Sequence, residues 1–66
     1  MKYEQFIKQV EAGNLVEIFD SVPFYVNFKD DSGVTTFDNR YISYQNITGL
    51  WKLDSKGNYM KVEVER

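Results

Sequence analysis

Ile47-Thr48-Gly49-Leu50-Trp51-Lys52-Leu53, Asp54-Ser55-Lys56-Gly57-Asn58 and Tyr59-Met60-Lys61-Val62-Glu63-Val64-Glu65 run consecutively. The outer segments are strand-like and the middle one is rich in turn formers, so the stretch reads as a β-hairpin. Its register decides the fold, because a slip of one residue turns every side chain of a strand to the opposite face. A four-residue loop, Ser55 to Asn58, sets Leu53 opposite Met60 and Trp51 opposite Val62. Ile47, Trp51, Leu53, Met60, Val62 and Val64 then share one face. A three-residue loop ending in a left-handed Gly57 pairs Leu53 with Tyr59 and Trp51 with Lys61 and leaves both faces mixed. The four-residue loop opposes Lys52 to Lys61, at roughly 0.2–1 kcal/mol. About six aligned apolar side chains, each worth roughly 1.5–3 kcal/mol when fully buried, outweigh that cost. The expectation is therefore the four-residue loop, with Trp51 pointing into the core.

Working outward, Tyr41 to Tyr44 alternates with Ile42 and Tyr44 on one side, and Gln45-Asn46 is a weak break before the hairpin. Asp38-Asn39 interrupts the alternation between this run and Val34 to Phe37, which predicts a bulge or tight bend there. Asp30-Asp31-Ser32-Gly33 is a turn by composition. Phe24 to Lys29 alternates cleanly, with Phe24, Val26 and Phe28 against Tyr25, Asn27 and Lys29, and Phe37 is expected on the face of Val26 and Phe28. Asp20-Ser21-Val22-Pro23 breaks the shorter run Leu15 to Phe19, since proline lacks the ladder donor. Gly49 inside its strand marks strong curvature or close approach by another backbone.

Lys2 to Ala12 carries Tyr3, Phe6, Ile7 and Val10 at helical spacing, with Glu4 and Lys8 four apart in the favourable order. Gly13-Asn14 supplies a left-handed stop, and no capping residue precedes the helix. The expected fold is α+β, a single domain over 1–66 with one N-terminal helix on a curved antiparallel sheet of four to five strands. The alternative is a small SH3-like barrel with an N-terminal helix.

Composition narrows the chemistry. The 66 residues include no cysteine and no histidine, which removes disulfides, thiolate chemistry, the usual zinc ligand sets and the commonest general base. Stability must come from packing, and an aromatic content of 17% makes that feasible in so short a chain. No apolar run approaches a membrane span and no signal-peptide pattern opens the sequence, so a soluble, cytoplasmic protein without membrane contact is expected. A net charge of −2 argues against a surface built wholly for phosphate backbones.

The acidic turns at Asp30-Asp31 and Asp54 lack the alternating acids and closing glutamate of a calcium loop. Serines and threonines have no histidine to activate them, and nothing resembles a glycine-rich phosphate loop. No enzyme activity, metal or cofactor is expected. What the predicted register leaves on the face away from the helix is Tyr25, Lys29, Leu50, Lys52, Tyr59 and Lys61. Aromatic anchors there suit a protein partner, and rings interleaved with lysines suit single-stranded nucleic acid as the alternative. The Tyr59 to Glu65 strand could also lie at an edge and pair with a second copy. The expected role is a small protein-binding module. Its tyrosine- and asparagine-containing, cysteine-free composition suggests a phage or mobile-element protein that modulates a host protein.

Overall fold

A computed structural model describes residues 1–19 and 21–65; Asp20, the first residue of the predicted break, and Arg66 lie outside the described residues. One helix, α1 (Tyr3–Gln9), precedes β1 (Leu15–Glu17), β2 (Phe24–Lys29), β3 (Gly33–Thr36) and β4 (Tyr41–Ser43). A 3₁₀ turn (Tyr44–Asn46) then leads to β5 (Gly49–Leu53) and β6 (Tyr59–Glu63). The strands form one antiparallel sheet in the order β4-β3-β2-β1-β5-β6. The fold is α+β, with six strands rather than four or five. With β4 and β6 as its two ends, the sheet is open rather than a closed barrel.

The helical stripe behaves as its spacing predicts. Phe6 and Val10 are buried, Tyr3 and Ile7 pack partly against the same cluster, and Lys2 provides no side-chain cap. The helix stops at Gln9 because Val10 is already extended. The following turn is closed by the Asn14 carboxamide, which accepts the Glu11 N–H at 2.9 Å, while Gly13 takes φ +93°. Under the helix lie Val16, Val26, Val34, Ile42, Tyr44, Ile47 and Leu50, and the Phe6 and Tyr44 rings meet edge to face at 5.9 Å.

The hairpin register differs from the expected one. Leu53 pairs with Tyr59, Lys52 with Met60, Trp51 with Lys61 and Leu50 with Val62. Leu50, Lys52, Met60 and Val62 therefore face the helix side, and Trp51, Leu53, Tyr59 and Lys61 face away from it. Local turn chemistry decides this. Gly57 adopts φ +84°, and the Asp54 carboxylate accepts the Lys56 and Asn58 N–H groups at 2.8 and 2.9 Å. The Asp54 N–H also donates to the Asn58 carbonyl at 2.8 Å. The apolar count that favoured the other loop assumed full burial. Leu53 and Met60 are instead 55% and 57% exposed at the end of the hairpin, where there is no core for either register to reward them.

Asp38-Asn39 forms the expected tight bend, with Asn39 at φ +65° and its N–H on the Thr36 carbonyl at 3.1 Å. Phe37 belongs to that turn and is exposed, rather than sharing the face of Val26. A register shift that the alternation does not announce falls in β2, between Val26 (opposite Thr36) and Phe28 (opposite Thr35). Val26 stays in the core, Phe28 is turned outward and Lys29 is turned to the helix side.

Candidate interaction face

The side of the sheet away from the helix exposes Tyr25, Phe28 and Leu53, while Glu17 on the same side is buried. Across its middle runs a row fixed by backbone pairing: Tyr25 on β2, Leu15 on β1, Trp51 on β5 and Lys61 on β6. Tyr25 is 52% exposed, and its ring meets that of Tyr59 at 6.5 Å and 69°. The Tyr59 hydroxyl donates to the Gly13 carbonyl at 3.0 Å, which anchors this ring over the start of β1. Trp51 is half-buried between these neighbours, its indole N–H covered and without a hydrogen-bond acceptor among the described residues. By the same alternation Leu53 and Phe28 present exposed apolar side chains on this side.

Of the six residues predicted for this face, Tyr25, Tyr59 and Lys61 are on it. The other three are on the helix side. Leu50 is fully buried, Lys29 donates to the Ile7 carbonyl at 3.2 Å, and Lys52 donates to the Gln9 carboxamide at 2.7 Å. Trp51, Leu53 and Phe28 are the members the sequence reading missed. The signal that could have found the first two is Gly57 at the third loop position. The β2 bulge that turns Phe28 outward has no such marker.

Lys61 is not free to meet an anion. Its ammonium lies 2.5 Å from Glu17 Oε2 and 3.2 Å from Glu63 Oε1, and these carboxylates, Glu17 first, raise its pKa. Glu17 is only 8% exposed, so the pair is partly withdrawn from water. Gly49 makes this arrangement fit. It sits opposite both Glu17 and Glu63, and an added Cβ would come within 2.9 Å of Lys61 Cε and 3.4 Å of Glu17 Oε2. The predicted close approach at Gly49 is thus made by a side-chain ion pair and not by another backbone.

The acidic turns are occupied by their own backbone. The Asp30 carboxylate accepts the Ser32 and Gly33 N–H groups at 2.8 and 3.0 Å and the Tyr41 hydroxyl at 3.1 Å. The Ser32 and then the Gly33 amide hold its pKa below the ordinary 3.8. Asp38 is likewise lowered, chiefly by the Thr36 hydroxyl and secondly by Arg40. A carboxylate depressed in the folded state contributes stability that is complete above its unfolded pKa and lost as pH falls through the folded one. The thermal midpoint should therefore be insensitive to these groups down to about pH 4 and fall below it. In Asp30→Asn, which keeps one acceptor oxygen, thermal melts from pH 7 to pH 2 should show a shallower acid limb. An unchanged limb would remove Asp30 from the acid response.

Among the described residues no three acidic groups converge in a way that could hold a metal ion. A groove lined by Lys2, Tyr3, Glu4, Gln5, Gln45 and Glu65 contains no serine, threonine, cysteine or histidine. No described helix is long and apolar enough to cross a membrane. No family model, curated protein or solved structure matches the chain, so what it does has to be argued from this face.

Proposed function

We propose that the chain is a non-enzymatic protein-binding module whose contact surface is the sheet face carrying Tyr25, Trp51 and Tyr59. The observation that carries this is the separation of rings from cations. The aromatic side chains lie together on the open face, while Lys29 and Lys52 are tied to the helix on the other side and Lys61 is neutralised by Glu17 and Glu63. Rings without phosphate-binding cations suit a protein surface, where tyrosine and tryptophan supply much of the binding energy. They suit single-stranded nucleic acid poorly, because that needs a positive groove to follow the backbone. Composition adds the suggestion that the partner is a host protein and the chain a phage or mobile-element product.

Capture from a lysate of the source cell, with immobilised wild type, Tyr25→Ala and Lys8→Ala, tests this. Tyr25→Ala should reduce recovery of the partner by about tenfold or more, the effect of a central anchor worth roughly 2 kcal/mol. Lys8→Ala, on the exposed side of the helix, should leave recovery unchanged. Equal capture by wild type and Tyr25→Ala would clear the face of involvement. In parallel, single-stranded DNA or RNA at low salt should leave Trp51 emission unchanged. A quench that disappears with added salt would favour nucleic acid instead.

A further inference from the structure

We infer that two copies of the chain pair through the outer edge of β6, antiparallel about a two-fold axis at Met60, with Tyr59 of each copy opposite Lys61 of the other. This concerns the edge of the sheet and is independent of what binds its face.

The phase of the β5–β6 ladder shows which backbone groups are available. Asp54 N–H donates to the Asn58 carbonyl at 2.8 Å and Val64 N–H to the Thr48 carbonyl at 3.1 Å. Antiparallel pairing alternates, so even-numbered residues of β6 point their N–H and C=O groups at β5 and odd-numbered ones point theirs away. Part of that outer edge is already covered. The Met1 ammonium donates to the Glu63 carbonyl at 2.9 Å, Glu65 N–H donates to the Met1 carbonyl at 2.7 Å, and Lys2 bridges Glu65 in parallel. At the other end the chain turns at Asn58 toward β5. Among the described residues the open window therefore runs from Tyr59 to Lys61.

One self-pairing fits that window. With the axis at Met60, the outward N–H and C=O of Tyr59 meet those of Lys61 in the second copy, and the reverse, so each outward group in the window finds a partner. An axis at Lys61 would oppose two ammonium side chains and bring the second strand onto Met1 at Glu63. An axis at Tyr59 would set Lys61 against the turn residue Gly57. Met60 is 57% exposed and would face its own copy across a non-hydrogen-bonded pair, the closely spaced kind, with Cα atoms about 4.5 Å apart. The tyrosine ring beside the lysine stem adds a favourable cross-strand pair.

Edge lysines ordinarily keep such strands apart. Here the Lys61 ammonium is drawn over Gly49 to Glu17, back toward the middle of the sheet. The opposite edge is phased alike, with Tyr41 and Ser43 pointing outward, but its axial residue would be Ile42, whose side chain is buried and has nothing to set against its copy, and the strand passes into the 3₁₀ turn after Ser43. A window this short buries less than the roughly 1,200 Å² of a stable complex, so association belongs to the weak, concentration-dependent class.

The chain has no cysteine, which makes single-cysteine crosslinking selective. Under mild oxidation Met60→Cys should form a disulfide dimer about tenfold or more faster than Leu53→Cys, since only the axial position brings two Cα atoms within disulfide reach. Leu53 is similarly exposed on the same hairpin and reports random collision. Sedimentation of the wild type should show dimer appearing as concentration rises toward about 1 mM, where weak self-association becomes measurable. Met60→Glu and Met60→Lys should each be monomeric alone and associate when mixed. Equal crosslinking of the two cysteine variants, a wild type monomeric throughout that range, or no association on mixing would each overturn the two-fold at Met60.

Discussion

Leu50→Ala should unfold most of the protein at 25 °C, while Met60→Ala should leave its stability nearly unchanged. Leu50 is fully buried between Val16 on β1 and Val62 on β6, on the side where Phe6 and Val10 of the helix pack. Truncating a buried leucine costs about 2–5 kcal/mol, a transfer loss plus the cavity left behind. A single small core rarely supplies more than about 3–5 kcal/mol in all. Met60, on the same face but at the exposed tip of the hairpin, has little apolar contact to lose, and surface truncations of that kind stay within about 0.5 kcal/mol. Urea titrations followed by far-UV circular dichroism, at concentrations too low for self-association, separate the two. Met60 faces the helix side in either register, whereas Leu50 faces outward in the four-residue-loop register, so a Leu50→Ala variant as stable as Met60→Ala would restore it.

This contrast also marks how far the sequence could be read. Patterns carried by one element survive folding. Tyr3, Phe6, Ile7 and Val10 form one stripe, Ile42 and Tyr44 share a side, and both enter the core. Patterns that need two elements to be aligned are less secure. Counting apolar residues as though all were buried favours the four-residue loop, whereas the Asp54 and Gly57 turn geometry acts locally and does not depend on burial. That one-residue difference put Leu50 and Lys52 on the wrong side and hid Trp51.

The β2 bulge was harder to see. Nothing in Phe24-Tyr25-Val26-Asn27-Phe28-Lys29 marks the register shift, because its alternation is intact. The shift depends on β3, where Thr35 and Val34 sit opposite Phe28 and Lys29. The physical consequence for the site is that Phe28 joins the open face while Lys29 leaves it. Tyr25 and Tyr59 were legible because they have the same outward parity in either placement of their neighbours. Lys29 and Lys52 were not, since each lies on the helix side, where its long side chain reaches a helix carbonyl or carboxamide that only the tertiary fold brings near.

Gly33→Ala should be about as damaging as Leu50→Ala, and far more so than alanine at either turn glycine with positive φ. Gly33 opens β3 beside Ser43 of β4, its N–H held by the Asp30 carboxylate and its carbonyl by the Asp30 N–H. An alanine Cβ there would run into the Ile42 carbonyl oxygen and lie 3.0 Å from both Ile42 C and Ser43 Cα. All three atoms are backbone, so no rotamer change relieves the contact and β4 must move off β3. Ile42 and Tyr44, both in the core, would move with it, and the Tyr44 hydroxyl would leave the Asp30 carbonyl it reaches at 2.7 Å. Overpacking alone costs about 1–3 kcal/mol, and lost burial of those side chains adds to it. Gly13 and Gly57 have open space where a Cβ would go, but at φ +93° and +84° alanine there meets a backbone penalty of about 1–2 kcal/mol. Thermal melts of the three alanine variants should therefore rank Gly33 as the most destabilised. If Gly33→Ala melts no lower than Gly57→Ala, β4 is not packed against Gly33 as described. The outer arm of the sheet, with Tyr41 on it, would then need to be placed again.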